Sequence, residues 1–328
     1  MSIVVTGSIA TDNLMTFRGR FADQLVPEAL HQISLSFLVD DLQVRRGGIG
    51  ANIAFGMANL GLHPVLVGSV GDDFDDYRSW LERHGVDTAS VRVSTLQHTA
   101  RFLCTTDSDQ NQIASFYTGA MSEARAIELA PIVARHGEVD LVVISPNDPD
   151  AMLRHTDECR TRGYPFAADP SQQLAVMDGA GIRLLVDGAA YLFTNEYEAA
   201  LTEQKTGWTA AEILERVQVR VTTLGSKGSR IDRAGHEPIL VKCAQVRAVV
   251  EPTGVGDAYR AGFLAATAWG LSLERSAQVG SLLAAYVIET VGTQEYDLSQ
   301  SDFLARFADA YGVQEAVEVG ACLRCPRP

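Results

Sequence analysis

Hydrophobic and polar residues follow two different patterns along this 328-residue chain. In most of it, short continuous apolar runs alternate with longer helical stretches, several of which end at glycine, as helices commonly do. Continuous apolar runs are typical of parallel strands buried on both faces. The predicted strands are residues 3–7, 64–70, 140–145, 165–169, 190–195 and 220–225, and the clearest predicted helices are residues 51–61, 75–85 and 148–163. This alternation predicts an α/β fold with a doubly wound, mostly parallel sheet and helices on both faces.

Two regions depart from that rhythm. Residues 33–46 and 99–117 alternate apolar with polar side chains, and the second region contains the turn sequence "DSDQN". Such alternation predicts antiparallel strands with one exposed face. No repeat, low-complexity segment or linker divides the chain. We therefore expect one α/β domain over residues 1–328, with a small discontinuous β-sheet lid inserted at about 13–46 and 97–118.

Charge and composition exclude several classes of protein. The hydrophobic share of 46% and the charged share of 21% are ordinary for a globular protein. The net charge of −14 argues against binding to a nucleic-acid backbone or an anionic membrane surface. The chain shows neither a basic signal-peptide region nor the roughly 18 apolar residues of a membrane helix, so we expect a cytoplasmic protein. Five scattered cysteines, an odd number, favour reduced thiols.

The sequence "EPTGVGDAY", residues 251–259, places two glycines and an aspartate directly before a helical run of small residues. Small residues at helical spacing let one face of the helix lie close to the sheet, which fixes the helix N-terminus. Because first-turn amides lack partners within a helix, Gly254, Val255 and Gly256 predict a phosphoryl-binding turn. Asp257 is then a candidate general base. Alternatively, the glycines only form a turn and Asp257 only interacts with the helix dipole.

This segment resembles the signature of the ribokinase-like, PfkB-type sugar and nucleoside kinases. In that family the aspartate activates the acceptor hydroxyl and the glycine turn forms the anion hole, which implies those roles for Asp257 and its neighbours. "RRGGIGANIAF", residues 45–55, is similar to the family's Gly-Gly signature. The resemblance implies that the glycine pair is the lid hinge and that Asn52 binds the sugar. It also implies that Asp12 binds the ribose hydroxyls, whereas the residues alone leave open a helix cap.

A closer similarity to the bacterial adenosine kinases of this family implies a nucleoside pocket. Segments such as "QIASFY" and "FAADPSQQLA" carry that similarity. A purine needs flat apolar faces and a few amide partners, although the lid phenylalanines could also be lid core. The implied substrate-binding residues are Ser8, Asp12, Gly48 and Asn52 around the ribose, Phe102 and Phe116 sandwiching the adenine, and Gln172 and Gln173 at its edge.

Two further motifs concern the phosphate donor. "TNEYE" matches the family's Asn-x-x-Glu motif, which implies that Asn195 and Glu198 handle phosphate and Mg²⁺, the latter through water; it is also a capping-box sequence. "TTLGSKG" resembles the segment that borders the nucleotide. The implied ATP-binding residues in that segment are Thr223, Gly225 and Gly228. Glu251 stands where the family usually has aspartate, which puts a K⁺ site there in doubt.

The resemblance implies an adenosine kinase that uses Mg-ATP to phosphorylate the 5′-hydroxyl of adenosine, as in purine salvage. A kinase of a free sugar such as ribose or fructose fits the same motifs, and a non-catalytic nucleoside-binding protein stays open. A dinucleotide-dependent dehydrogenase is disfavoured because no Gly-x-Gly-x-x-Gly follows the first strand, and no Walker motif occurs. The apolar residues Phe37, Leu38 and Val39 either cover the substrate or pair two lids into a homodimer.

Overall fold

The computed structural model describes residues 2–25 and 36–323, and it confirms the predicted α/β class. The strands are β1 (Ile3–Thr6), β2 (Ala10–Thr16), β3 (Asp41–Gly47), β4 (Val65–Val67), β5 (Ser69–Val70), β6 (Arg92–Val93), β7 (Ala100–Thr106), β8 (Gln112–Tyr117), β9 (Leu141–Ile144), β10 (Phe166–Ala168), β11 (Tyr191–Asn195), β12 (Val219–Thr223), β13 (Ser229–Asp232) and β14 (Ile239–Val241). The helices are α1 (Phe21–Gln24), α2 (Ile49–Asn59), α3 (Asp75–Arg83), α4 (Leu129–His136), α5 (Pro149–Arg162), α6 (Gly179–Val186), α7 (Glu196–Thr206), α8 (Ala210–Leu214), α9 (Val255–Ala268), α10 (Leu273–Ile288), α11 (Gln300–Tyr311) and α12 (Val313–Cys322).

Within the described residues, the main sheet has the strand order β14-β13-β12-β11-β10-β9-β1-β4. The strands from β12 to β4 in this order are parallel, whereas β13 and β14 are antiparallel additions. Successive residues of β1 enter different apolar clusters: Ile3 and Val5 pack on the side of α2, α9 and α10, and Val4 packs on the side of α4, α5 and α6. Burial on both faces explains the continuous apolar runs.

A second sheet, in the order β3-β2-β7-β8, is built largely from the two segments in which the sequence predicts a lid, and we call it the lid sheet. Its first strand, β2, begins at Ala10, and the pattern over residues 33–46 becomes a strand only from Asp41; residues 33–35 lie outside the described residues. The prediction of antiparallel strands was wrong for one pair, because β2 and β7 are parallel. Ala10, Gly47 and Ala100 lie at one end of the lid sheet, so β2 and β7 both run outward from the body.

Helix α9 packs tightly between two other helices. A Cβ atom on Gly262 would lie 2.8 Å from the Cα of Gly280 in α10, and one on Gly56 in α2 would lie 2.6 Å from the Cβ of Ala261. The small residues of α9 therefore allow close approach to helices, not to the sheet as the sequence suggested. The sheet-facing side carries larger residues, since Phe263 makes edge contacts with the aromatic rings of β11.

Two expectations from composition concern membranes and cysteines. No helix in the described part of the chain has the length and apolar character that would let it cross a membrane. The four cysteines in that part, Cys104, Cys159, Cys243 and Cys322, are free thiols, and Cys325 lies outside the described residues.

The contact between α9 and α10 predicts a stability effect. Gly262→Ala places a methyl group against backbone atoms of α10, so we expect it to lower the free energy of unfolding by about 1–3 kcal/mol in urea denaturation. Gly320→Ala in α12 is the matched control, because its Cβ would meet only the flexible end of Leu304. Since alanine favours helix over glycine, this control should be neutral or stabilising. Equal stability of both variants and the native chain would contradict close packing of α9.

Candidate functional site

The carboxyl-terminal edge of the main sheet borders a cavity of about 580 Å³ that lies under the lid. Loops after several parallel strands meet there, as ligand-binding loops do in open α/β sheets. The predicted residues that line it from the body are Ser8, Gly48, Asn52, Gln172, Asn195, Glu198, Thr223, Glu251, Gly254, Gly256 and Asp257, and those from the lid are Asp12, Phe102 and Phe116. The structure thus gathers in one cavity most of the residues that the motifs indicated.

A chain of hydrogen bonds holds Asp257 at the start of α9. Its Oδ2 accepts a bond of 2.9 Å from Asn52 Nδ2. Asn52 Oδ1 accepts bonds from Thr293 Oγ1 and Gln294 Nε2, both at 2.9 Å. These two donors fix the Asn52 amide so that its NH₂ group faces the carboxylate. Asp257 is almost fully buried, so its orientation is set by these contacts.

The charge state of Asp257 depends on burial and on one nearby cation. Burial raises the pKa of Asp257 to about 6, although the positive charge of Arg260 and the Asn52 hydrogen bond lower it. Burial alone would lower the pKa of Arg260, but the carboxylates around it raise it, so the guanidinium stays charged. At neutral pH Asp257 is mostly ionised, and its pKa is close to the range in which a general base works best.

Asp12 reaches the cavity from β2, which shows that it lies on a lid strand and not at a helix cap. Burial, together with the negative charges of Glu251 and Asp257, raises the pKa of Asp12 to about 6. Its carboxylate can accept hydrogen bonds from ligand hydroxyl groups, and such charge-assisted bonds are stronger than neutral ones. This position suits the predicted contact with a sugar.

Two glycines of the site are required by backbone geometry. Gly48, directly before α2, has φ +92°, and a Cβ there would lie 2.6 Å from the backbone of Ala10. Gly254, the N-cap of α9, has φ +76°, and a Cβ there would lie 2.6 Å from Thr293. Both values fall in the left-handed region that favours glycine. The chain can therefore turn sharply at the cavity floor.

The predicted anion-binding turn reaches the cavity through Gly254 and Gly256. Val255 lies differently: its N–H donates to Pro252 O at 3.4 Å, and its side chain lines a neighbouring cavity. Gly254 thus faces the first cavity and Val255 the neighbouring one, whereas Gly256 borders both, a difference that the motif alone does not reveal.

The lid supplies an apolar wall. Phe102 of β7 and Phe116 of β8 are cross-strand partners, so both side chains project from the same face of the lid sheet. That face also carries Leu14 of β2, and all three residues line the cavity. Phe116 remains 50% exposed, which leaves its ring accessible to a ligand.

The two predicted glutamines, Gln172 and Gln173, differ in their surroundings. Gln172 lines the cavity, close to Ser171, whose hydroxyl donates to Gln172 Oε1 at 2.9 Å. Gln173 does not line it, because its Nε2 donates to the backbone oxygen of Asn147 at 2.7 Å. Adjacent residues in this short turn point in different directions, so only one of the pair is placed to meet a ligand.

Asn195 and Glu198 form the capping box that the sequence indicated. Asn195 Oδ1 accepts a bond from the Glu198 N–H, and Glu198 Oε2 accepts one from the Asn195 N–H, both at 2.8 Å. Both residues also line the cavity. The motif therefore begins α7 and at the same time presents a fixed carboxylate to the site.

A second cavity of about 550 Å³ adjoins the first. Its wall is largely apolar, with Val246, Val249 and Ile288, and it contains the predicted residues Gly225 and Gly228. Thr223 and Gly256 line both cavities. The two cavities therefore meet at the N-terminus of α9, beside Asp257.

Several lining residues were not predicted. Arg45, Ser171, Thr253, Arg260, Gly292 and Thr293 also border the first cavity. Arg260 follows Asp257 by three residues, so helical spacing could have revealed it. Thr293 and its neighbour Gln294 come from a turn after α10 whose sequence carries no motif, and only the fold brings them to Asn52.

Comparison with known proteins places the chain in a family. Residues 13–300 match the model of the pfkB family carbohydrate kinases. The chain is 31% identical over 253 residues to a nucleoside kinase of Methanocaldococcus jannaschii, covering 76% of this chain and 80% of that protein. It is 25% identical over 296 residues to a ribokinase of Bacillus subtilis, covering 89% and 94% of the two chains.

A solved structure supports the same placement. The nucleoside kinase of Burkholderia thailandensis in complex with inosine is 33% identical, with a TM-score of 0.81 and coverage of 95% of this chain and 98% of that chain. Its complex described as ADP-inosine gives 34% identity, a TM-score of 0.80 and coverage of 95% and 96%. The family match spans most of the chain and agrees with the fold and both cavities. This chain belongs to the pfkB family of carbohydrate kinases and is an ATP-dependent kinase that transfers a phosphoryl group to a hydroxyl.

Proposed function

We propose that this kinase acts on nucleosides and that adenosine is its acceptor, so that ATP and adenosine give ADP and AMP in purine salvage. The observation that carries the proposal is the meeting of two cavities beside Asp257, one polar with an aromatic wall and the other largely apolar. The similarity to two proteins named nucleoside kinase supports a nucleoside acceptor.

The first cavity has a polar and an apolar end, which favours a nucleoside over a free sugar. Asp12 and Asn52 offer hydrogen-bonding groups suited to a ribose. Phe102 and Phe116 offer aromatic surface suited to a purine, which stacks on such rings. A free sugar would leave that aromatic surface without a partner. The Gln172 amide can meet the edge of the base, since it carries both donor and acceptor groups.

Asp257 acts as the general base in this proposal. It accepts the proton of the 5′-hydroxyl as the ribose oxygen forms a bond to the γ-phosphorus and the bond from that phosphorus to the ADP oxygen breaks. The Asn52 bond orients the carboxylate before the acceptor arrives. The N-terminus of α9, with Gly254 and Gly256, favours the negative charge of the transferring group. The lid excludes water and limits hydrolysis of ATP.

The donor ATP fits the second cavity. Its apolar wall, including Val246, Val249 and Ile288, suits an adenine, and the glycines at 225 and 228 let the backbone approach a nucleotide. Mg²⁺ fits near Glu198, whose Oε2 is held by the capping box and whose Oε1 lies 3.4 Å from Ser171 Oγ, an arrangement suited to contact through water. When bound, Mg²⁺ neutralises charge on the phosphates.

A K⁺ site at Glu251 is a weaker element of the proposal. Glu251 Oε2 accepts a hydrogen bond from the Gly292 N–H at 2.9 Å, which leaves the other carboxylate oxygen as a ligand. The longer side chain thus reaches a backbone amide across the cavity. K⁺ is therefore a candidate cofactor at Glu251.

A homodimer through the lid is also part of the proposal. The lid face turned away from the cavity exposes Leu42, Val44 and Ile113. Of the residues that the sequence suggested for this contact, Leu38 is exposed. Phe37 is less available for pairing two lids, because it packs against Phe17 and Phe21. Contact between two lids would bury the exposed face without blocking the cavity.

Acceptor choice tests the proposal directly. With Mg-ATP, we expect ADP release to depend on a nucleoside, with kcat/KM for adenosine at least about tenfold above that for ribose or fructose, because base stacking contributes about 1–3 kcal/mol. Comparing inosine with adenosine in the same coupled assay shows whether the enzyme distinguishes the two bases by their hydrogen-bonding edges. A preference for ribose would support the free-sugar kinase, and adenosine binding without any ADP release would support the non-catalytic binding protein.

Removal of the base should abolish most turnover. Asp257→Asn should lower kcat at least about 10²-fold while adenosine affinity, measured by calorimetry, changes little. In the native enzyme kcat should fall as pH drops below about 6, because Asp257 takes up a proton there; above this pH the carboxylate is ionised and active. The exposed Asp76→Asn is the control. A variant at position 257 with native kcat would exclude this residue as the base.

The aromatic wall predicts a binding effect. Phe116→Ala should raise the KM for adenosine about tenfold and leave kcat at saturation within about threefold, since the ring contacts the base and not the reacting atoms. Val93→Ala in β6 is the matched control, because Val93 is an apolar strand residue of similar exposure that lines neither cavity. An unchanged KM in Phe116→Ala would remove this ring from the nucleoside pocket.

A further inference from the structure

Arg260 is a charged residue of the active cavity for which the motifs give no role. It lies on α9 one turn after Asp257, and its side chain lines the cavity although it is only 7% exposed. Arg260 Nη2 lies 2.7 Å from Asp169 Oδ1, and Asp169 is completely buried. The Glu198 carboxylate is a more distant partner at 3.9 Å.

This ion pair is poorly explained as a stabilising contact. The contact between Asp169 and Arg260 is short, but among the described residues neither Asp169 oxygen nor Arg260 Nε has a hydrogen-bond partner of good geometry. A buried ion pair repays its desolvation only when the remaining polar atoms are hydrogen-bonded. Burial raises the pKa of Asp169 even though Arg260 opposes the shift, which reflects the same cost. Stability alone therefore does not account for this pair.

The position of the guanidinium suggests that reason. A Cβ on Gly256 would lie 2.7 Å from Arg260 Nη1, so the guanidinium lies directly beside the turn that begins α9. It supports the same turn that carries Asp257. If the guanidinium moved, the first turn of α9 would lose its contact with the Arg260 side chain.

The charges around the cavity support the same role for Arg260. The lining carboxylates are Asp12, Glu198, Glu251 and Asp257. Among the described lining residues the cations are Arg45 and Arg260. Arg45 belongs to the lid, where its Nη1 donates to the backbone oxygen of Val291. Arg260 is the cation on the same helix as the base, so it offsets negative charge where an anionic phosphoryl group must approach.

We propose that Arg260 is a positioning residue for phosphoryl transfer, holding the turn of Gly256 and Asp257 in place and supplying a fixed positive charge beside it. Asp169 holds the guanidinium in that position, so the two residues act as a unit. The inference rests on the proposed role of Asp257 as the base, and it adds a buried support that the catalytic motif does not contain.

Steady-state kinetics with Mg-ATP and adenosine test this inference. Arg260→Gln should lower kcat about 10²-fold, the loss typical of a small misplacement of reacting groups, while both KM values stay within about threefold. Arg260→Lys should recover at least about fivefold of that loss, because it keeps the charge without the planar fork. Asp169→Asn should also lower kcat. The double variant should be no slower than Arg260→Gln alone, since the pair acts as a unit.

Two controls separate this role from a purely structural one. The double variant Asp169→Asn/Arg260→Gln removes both buried charges, so it leaves no uncompensated buried ion. Its folding is verified by thermal unfolding before kcat is measured. Arg220→Gln is the matched control: Arg220 is also 7% exposed and pairs with Glu203 at 2.8 Å, but it lines neither of the two cavities. It should lower the melting temperature and leave kcat unchanged.

Each contrary result is distinct. The inference is overturned if the folded double variant keeps native kcat, if the losses from the two single variants add, or if Arg260→Lys is no faster than Arg260→Gln. An inactive Asp257→Asn alongside an active Arg260→Gln would overturn this inference alone. An active Asp257→Asn would instead overturn the base on which it rests.

Discussion

The close packing of α9 between α2 and α10 is the constraint on which the site depends. Glycine at 262 and 280 brings α9 and α10 within backbone contact, and glycine at 56 lets α2 lie against the Ala261 side chain of α9. Because protein interiors tolerate little displacement at such contacts, α9 has one position relative to its neighbours. Asn52 on α2 can then reach Asp257 on α9 with a direct hydrogen bond. The geometry of Asp257 is thus a consequence of helix packing.

The second general feature is the concentration of carboxylates in a buried space. Burial raises the pKa of both Asp12 and Asp257, and neighbouring negative charges raise that of Asp12 further. Such clustering destabilises the protein, because like charges repel and burial removes water from them. Proteins commonly place perturbed groups of this kind where they bind or react.

Much of this could be predicted from sequence, because the decisive signals are local. Continuous apolar runs identified the parallel strands, and the small residues after Asp257 identified the helix at whose start that carboxylate lies. What escaped prediction depends on distant contacts. The strand β2 begins with small and polar residues that read as a loop, and its parallel pairing with β7 follows only from where both strands leave the body. Gln173 could not be told from Gln172, since one residue decides which side chain faces the cavity.

The division of the site between lid and body has a mechanical consequence. Asp12 belongs to a lid strand, whereas Asp257 belongs to a helix of the body, and the negative charge of Asp257 contributes to the raised pKa of Asp12. The position of the lid sheet relative to the body therefore sets the strength of the repulsion between these two carboxylates. A ligand whose hydroxyl groups bind Asp12 and Asp257 replaces that repulsion with hydrogen bonds. In the proposed reaction, an acceptor that contacts both carboxylates would therefore connect the lid sheet to the body as well as supply the reacting hydroxyl.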